Sequence, residues 1–241
     1  MKMPKLKVGL IGIGKWGVIL KKKLKKNSNL IFSVNSKTPY LDKLNSVDWV
    51  FIATPDETHF SIVKKILKRK KNIFCEKPLT LNYKKSKYLF DLAKKNKTRL
   101  YVDNIQTFHK KKIFLKKNNF ITRQKKGKGN PEYLLYRFAY HDFYYLYDFL
   151  KNKKIKQILI EDKKKNLRFK IIYIDKSIFN FYYSLNSEKK IHMINKFNFI
   201  TKKDLLNIMT KSVIKSKVNF NKNQKQSLFA NLLIDKIRKK L

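Results

Sequence analysis

Three glycines, Gly12, Gly14 and Gly17, stand in GxGxxG spacing behind the apolar run Lys7–Ile11. This pattern suits anion binding. The first glycine of such a loop permits a tight turn, the second lets the backbone approach a pyrophosphate, and the third lets a helix close on its strand. The helix that follows offers N–H donors to the phosphates. Gly12, Ile13, Gly14, Lys15, Trp16 and Gly17 are therefore candidate dinucleotide contacts, with a ligand-free packing turn as the alternative. Where a dinucleotide fold commonly places an acid for the ribose 2′-hydroxyl, some 20 residues on, the chain reads Val34-Asn35-Ser36-Lys37. A neutral and basic set accepts a 2′-phosphate, so Ser36 and Lys37 favour NADP over NAD, although lysine is common throughout this chain.

Metal chemistry has no comparable pattern. Cys75 is the single cysteine, and His59, His109, His141 and His192 lie far apart without HxxxH or HExxH spacing, so no metal site is expected. One cysteine also excludes an intramolecular disulfide and fits a reducing compartment. The apolar run Val8–Ile13 follows a basic start, but Lys15 and the lack of a small-residue cleavage site argue against a signal peptide. No run reaches the roughly 18–20 apolar residues of a membrane span. A cytoplasmic protein is the expectation.

The elements that must hold these residues follow from hydrophobic period. Short β-branched and aromatic runs predict strands at Lys7–Ile11, Leu30–Val34, Trp49–Ala53, Asn72–Cys75 and Leu100–Val102. Between them, apolar residues at helical spacing predict helices over Trp16–Lys25, His59–Lys70 and Tyr83–Lys95. Alternation of this kind implies a parallel sheet covered by helices. Lys37–Ser46 is barely long enough for a helix, so the usual third strand is expected to be missing. Lys116–Asn130 is polar, lysine-rich and contains glycine, and reads as a connecting stretch. Beyond it, Ile155–Ile160, Leu167–Ile174, Ile178–Leu185 and Lys190–Ile200 follow with short breaks, as in an antiparallel sheet. Helices at Lys203–Thr210 and Gln224–Lys239 complete the chain. The expected fold is α/β: a Rossmann dinucleotide-binding domain over 1–105, then a small α+β domain with a mostly antiparallel sheet over 106–241.

The charge of +43 over 241 residues demands an account. Lysine makes up 53 of the 59 cations, and Asn, Ile, Phe and Tyr are abundant, a skew that AT-rich codons produce. Nucleic-acid readers favour Arg for its bidentate fork, and no helix-turn-helix, RNP or zinc-finger pattern accompanies the charge. The lysine runs 21–26, 110–112 and 163–165 read as solvated faces, and the aromatic run Tyr140–Phe149 as a helical core face rather than a stacking platform. No specific nucleic-acid partner is expected.

Two further motifs make a family resemblance. VDWVFIATPDETHF contains Ala53-Thr54-Pro55 with His59, and NIFCEKPLTLNYKKSKYLFDLAKKNKTRLYVDN contains Glu76-Lys77-Pro78-Leu79. Together with the Gly12-Ile13-Gly14 loop, in this order, they make residues 1–105 resemble the glucose-fructose oxidoreductase and inositol dehydrogenase (Gfo/Idh/MocA) family. The resemblance implies a nicotinamide cofactor, NADP or NAD, and a second domain whose open sheet covers the active site and often joins a homo-oligomer. It places Lys77 beside the nicotinamide and the substrate hydroxyl, where an ammonium can polarise or deprotonate an alcohol. Glu76 contacts the cofactor or orients Lys77, or is a buried structural carboxylate. Thr54, Pro55 and His59 fall near the cofactor, with capping or packing as the other reading of His59.

Weaker similarity reaches His141-Asp142, making His141 a candidate proton relay. Four residues before this histidine the family usually has Asp; here stands Arg137, with Asp142 as a possible compensating carboxylate about 100° further round the helix. Arg137, His141, Asp142 and Lys77 are thus the candidate substrate contacts. His109 and His192 have no surrounding constellation in the sequence. The resemblance implies an NAD(P)-dependent oxidoreductase acting on a sugar, polyol or nucleotide-sugar hydroxyl. Arg137 and an apparently shortened second domain motivate the alternative of a degenerate, non-catalytic nucleotide or sugar binder.

Overall fold

The computed structural model describes residues 5–109, 113–164 and 166–241, so the lysine run 110–112 and Lys165 fall outside the described residues. The chain forms two compact units: residues through Phe108 with Asp204–Leu228, and His109–Lys203 with Phe229–Leu241.

In the first unit β1 (Lys7–Ile11), β2 (Asn29–Val34), β3 (Trp49–Ile52), β4 (Asn72–Cys75) and β5 (Leu100–Val102) pair in parallel, in the order β2-β1-β3-β4-β5. Every residue of β3 is buried, which is why the central runs are apolar without alternation. Helices α1 (Lys15–Asn27), α2 (His59–Lys68) and α3 (Tyr83–Lys95) connect the strands. Val8, Leu10, Trp49, Phe51, Phe74 and Tyr101 share one sheet face with Leu20 and Leu24 of α1. Rings continue across it, Phe51 stacking on Phe74 at 4.9 Å and Phe74 on Tyr101 at 5.9 Å. Lys37–Ser46 yields only a 3₁₀ turn, Asp42–Ser46, and the chain passes from β2 directly to β3 on the other side of β1. The carboxyl ends of β1 and β3 therefore flank the topological switch point, where open α/β sheets bind ligands.

The second unit holds a six-stranded sheet in the order β11-β10-β6-β9-β8-β7. Its strands are β6 (Asn118–Lys126), β7 (Ile155–Asp162), β8 (Leu167–Tyr173), β9 (Ile178–Ser184), β10 (Asn186–Ile194) and β11 (Phe197–Asn198). Helix α4 (Pro131–Leu134), a π-helical turn Leu135–Ala139 and α5 (Tyr140–Leu150) follow β6. Phe143 of α5 packs on Phe169 and Phe181 of the sheet, so the aromatic run is a core face.

One expectation needs correction here. Lys116–Asn130 is no mere connection, because it contains β6, an interior strand of the sheet. Its inward positions are Asn119, Ile121 and Arg123; Asn119 is fully buried and bonded to the backbone of Lys116, so polar satisfaction replaces the apolar alternation that would have revealed it. The sheet is mostly antiparallel, as expected, with β6 and β9 running parallel and its other pairs antiparallel. Lys190–Ile200 is divided between β10 and β11 by a turn at Asn195, whose φ is 51°.

The chain then returns to the first unit, a connection absent from a division at residue 105. Helix α6 (Leu205–Ile214) lays Leu206, Met209 and Val213 on the ring-lined face beside α1. Asp204 caps α6 by accepting from Asn207 N–H at 3.1 Å and meets Lys23 at 2.6 Å. Helix α7 (Phe220–Arg238) begins in this unit, where Asn223 brackets the edge strand β5, accepting from Val102 N–H at 2.9 Å and donating to Val102 O at 2.8 Å.

Candidate functional site

The glycine loop closes β1 onto α1 with a separate reason for each glycine. Gly12 has φ +98°, and a Cβ there would stand 2.4 Å from the Ala53 carbonyl oxygen. At Gly17 a Cβ would stand 1.9 Å from the Gly12 carbonyl oxygen. At Gly14 it would meet nothing within 4 Å. Two glycines thus answer to the protein's own backbone, whereas Gly14 borders open space. Gly14 is also the N-cap of α1, with no side-chain cap and no acid in the first turn. By contrast, α3, α4 and α6 are capped by Asn82, Asn130 and Asp204. A bare helix N-terminus opening onto free space fits a pyrophosphate.

Around this cradle Ile13 and Trp16 are about two-fifths exposed, at 40% and 39%, and Lys15 is exposed. Ser36 and Lys37 are exposed beyond β2, in a turn shaped by Asn35, whose Oδ1 accepts from Lys37 N–H at 2.8 Å and Thr38 N–H at 2.9 Å. Behind β3, Thr54 is buried and accepts from Thr58 Oγ1 at 2.7 Å, while Pro55 is exposed. His59 is fully buried. Its Nδ1 lies 2.8 Å from Pro78 O and its Nε2 3.0 Å from Thr54 O, so the ring ties the Thr54-Pro55 loop to the Glu76-Lys77-Pro78 turn. With both nitrogens against backbone carbonyls, the structure favours the packing reading of His59 over a diphosphate contact.

Glu76 and Lys77 follow β4 and are both buried, at 8% and 7% exposure. The Trp16 indole N–H donates to Glu76 Oε1, linking the glycine loop to this turn. Burial and the neighbouring Asp103 push the Glu76 carboxyl well above the usual carboxylate range. Burial likewise raises Asp103, while the Lys77 charge draws both carboxyls down. Burial raises the Cys75 thiol well above its ordinary value. Asp103 was missed in the sequence, where its signal is only an acid directly after an apolar strand; the β4–β5 register brings it to Glu76.

The second unit treats its candidates differently. Arg137 is half-buried in the π-helical turn with its guanidinium 5.5 Å from the Tyr133 ring. His141 is buried in the first turn of α5. Asp142 faces the sheet: its Oδ2 accepts from Tyr183 OH at 3.0 Å, its Oδ1 lies 2.8 Å from His192 Nε2, and Arg123 Nη1 stands 3.9 Å away. The expectation that Asp142 offers its carboxylate to a substrate is therefore corrected, because the helix turns it into the interior of the unit. His192 is corrected as well. It belongs to a buried constellation assembled from β6, β9, β10 and α5, which no sequence spacing shows. Burial, then Arg123, lowers the His192 pKa, and burial raises that of Tyr183.

Among the described residues no group of three His, Cys, Asp or Glu side chains could hold a metal ion, and no helix is long and apolar enough to cross a membrane. Residues 20–104 match the model of an oxidoreductase family with an NAD-binding Rossmann fold. An uncharacterized oxidoreductase of Streptococcus pneumoniae is 27% identical over 121 residues, 43% of this chain, and the alignment spans 33% of that relative's length. A UDP-N-acetylglucosamine 3-dehydrogenase, GnnA, from Acidithiobacillus ferrooxidans superposes with a TM-score of 0.83 at 16% identity, covering 98% of this chain and 97% of the other. GenD2 from gentamicin A biosynthesis, solved with NAD, gives 0.77 at 12% identity over 98% and 93%. At such identities these structures speak for the fold, a parallel-sheet dinucleotide unit joined to a mixed-sheet unit. The cofactor class that this fold binds, a nicotinamide dinucleotide, is the one the glycine cradle fits.

Proposed function

We propose that this chain, whose first unit carries the NAD-binding Rossmann fold of the Gfo/Idh/MocA oxidoreductases, is a dehydrogenase or reductase acting on a CH–OH group of a sugar, polyol or nucleotide sugar. The observation that carries this is Lys77, a buried amine at the carboxyl end of β4, on the sheet end that also bears the glycine cradle. NAD or NADP, when bound, supplies the acceptor or donor of the hydride. The backbone N–H groups after Gly14 hold its pyrophosphate, and Trp16, fixed by Glu76, flanks it. Lys77 meets the reacting oxygen of the substrate, polarising a carbonyl as an ammonium or taking an alcohol proton as an amine. By the family resemblance His141 relays that proton; Arg137, a cation where the family usually has Asp, holds an anionic substrate group. The likeness to a UDP-N-acetylglucosamine 3-dehydrogenase makes nucleotide sugars the first substrates to screen.

The test is a titration with NADP(H) and NAD(H), then a turnover screen of nucleotide sugars, sugar acids and neutral polyols. Gly14→Asp should abolish dinucleotide binding without unfolding the chain, since its side chain enters open space. Lys77→Ala should lower turnover about 10²–10⁴-fold with cofactor affinity largely kept. Lys37→Asp should level a preference for NADP. Turnover that survives Lys77→Ala removes this mechanism. Dinucleotide binding without turnover of any class leaves the non-catalytic binder, the reading that Arg137 favours.

A further inference from the structure

We infer that the cleft between the end of α3, the start of β5 and the turn joining α6 to α7 is a second anion site, built for a small organic phosphate. Its walls come from residues 90–100 and 216–224, all within the first unit. It encloses about 800 Å³, the room of a small-molecule site rather than of a bare ion. The cleft stands apart from the glycine cradle. Arg99 precedes β5 and Leu100 begins it, so both lie at the amino end of a strand, whereas the cradle lies at the carboxyl end of the same parallel sheet.

Three of its four cations, Lys94, Lys97 and Lys217, are what a lysine-rich chain places on any surface. Arg99 is not, since the chain has only six arginines. Its guanidinium is held in place: Nη1 donates to Ser216 Oγ, the central carbon lies 5.4 Å from the Phe220 ring centroid, and the backbone N–H donates to Asn72 Oδ1 at 2.9 Å. Phe220 is held in turn by Trp49 and Tyr101, each at 6.1 Å. A guanidinium fixed by a hydroxyl and a ring keeps further N–H donors for a phosphate and loses little freedom on binding it. Arg123 and Arg238, by contrast, face carboxylates. No Asp or Glu lines the cleft, and among the described residues none of its four cations is ion-paired. The helix ends beside it are closed by their own backbone, Thr98 N–H donating to Ala93 O at 2.9 Å and Lys217 N–H to Ser212 O at 2.8 Å. Four like charges around one cleft concentrate a positive field that an anion relieves. The Phe90 and Val218 side chains give the walls apolar surface, which suits an organic body attached to the phosphate.

Nitrogen-labelled arginine gives side-chain NMR signals for six guanidinium groups, and the Arg99 signal is the one lost in Arg99→Lys. Titrated with AMP, that signal should move to saturation while those of Arg69 and Arg168 stay in place. The glycine cradle contains no arginine, so AMP bound there does not produce this shift. Adenosine should leave the signal unmoved, and inorganic phosphate should bind about tenfold more weakly than AMP because it leaves the apolar walls unused. Lys97 and Lys217 are exposed and lie outside every helix and strand, so Lys97→Gln combined with Lys217→Gln keeps the fold. That double variant should weaken AMP binding about tenfold, whereas Lys189→Gln, which removes an exposed charge in the second unit, should leave it unchanged. An Arg99 signal that drifts without saturating, or in step with the other arginines, overturns the site, as does an AMP affinity indifferent to the double variant. Equal affinity for inorganic phosphate and AMP overturns the organic ligand. A single-stranded oligonucleotide that moves the same signal at far lower concentration than AMP overturns it too, in favour of a nucleic-acid surface.

Discussion

Each unit buries one cluster of ionisable side chains, and the two are balanced in different ways. In the second unit Asp142 is surrounded by the Tyr183 hydroxyl, His192 and Arg123, so one carboxylate meets three partners from three strands. A network satisfied in this way pins α5 to the sheet and leaves no carboxylate for a ligand. In the first unit two carboxyls, Glu76 and Asp103, face one amine, and both are pushed up from their ordinary values by burial. That arrangement costs stability and is found where proton affinities have a task. The sequence pairs His141 with Asp142 as a catalytic set, yet the tertiary environment makes Asp142 structural and brings Asp103 to the strand end beside Glu76.

The sharpest way to break the contrast is truncation. Asp142→Ala should destabilise the protein by about 3–5 kcal/mol, because it strands the buried Arg123 charge, which cannot be discharged. Lys77→Ala should change stability by only about 1 kcal/mol, since the remaining carboxylate can take up a proton instead. Equal losses in denaturant melts would erase the distinction. The glycine loop sharpens it at smaller scale. Gly17→Ala should cost about 1–3 kcal/mol because its Cβ would overlap Gly12 O, whereas Gly14→Ala should stay within about 0.5 kcal/mol.

Smallest are the pH effects, which should have opposite signs. Glu76 and Asp103 are raised in the folded state, so they bind more protons folded than unfolded. Their contribution is full below the unfolded carboxylate range and lost as pH rises through the folded values. His192 is lowered, so its contribution is present above the ordinary histidine range and lost as pH falls through and below about 6.5. Hydrogen exchange, corrected for its intrinsic pH dependence, should show β4 and β5 loosening toward alkaline pH and β10 and α5 toward acid. Matching trends in the two units would refute the assignment of charge states.

Much of the first unit was legible because a parallel strand buried on both faces reads as a continuous apolar run. Lys7–Ile11, Asn72–Cys75, Leu100–Val102 and Tyr83–Lys95 have the bounds their patterns predict. The second unit was less legible at β6, whose inward Asn119 and Arg123 are satisfied by hydrogen bonds and ion pairing rather than by apolar packing. The return of α6 to the first sheet was not legible at all, because an amphipathic period states that a face is buried without stating against what.

By itself the sequence determined the glycine cradle: Gly12 and Gly17 have to be glycine for reasons of backbone conformation and clearance, while Gly14, in the same spacing, opens the start of the helix to free space. It likewise determined the strand–helix alternation and the order of the Thr54-Pro55 and Glu76-Lys77-Pro78 motifs. Only the tertiary structure decided which ionisable groups meet. Asp103 lies 27 residues from Glu76 and His192 50 residues from Asp142; the β4–β5 register brings the first two strand ends together and the packing of α5 on the sheet joins the second pair. The physical reason is range: conformational preference acts over a few residues, whereas the proton affinity of a buried group depends on burial and on neighbours brought by distant parts of the chain.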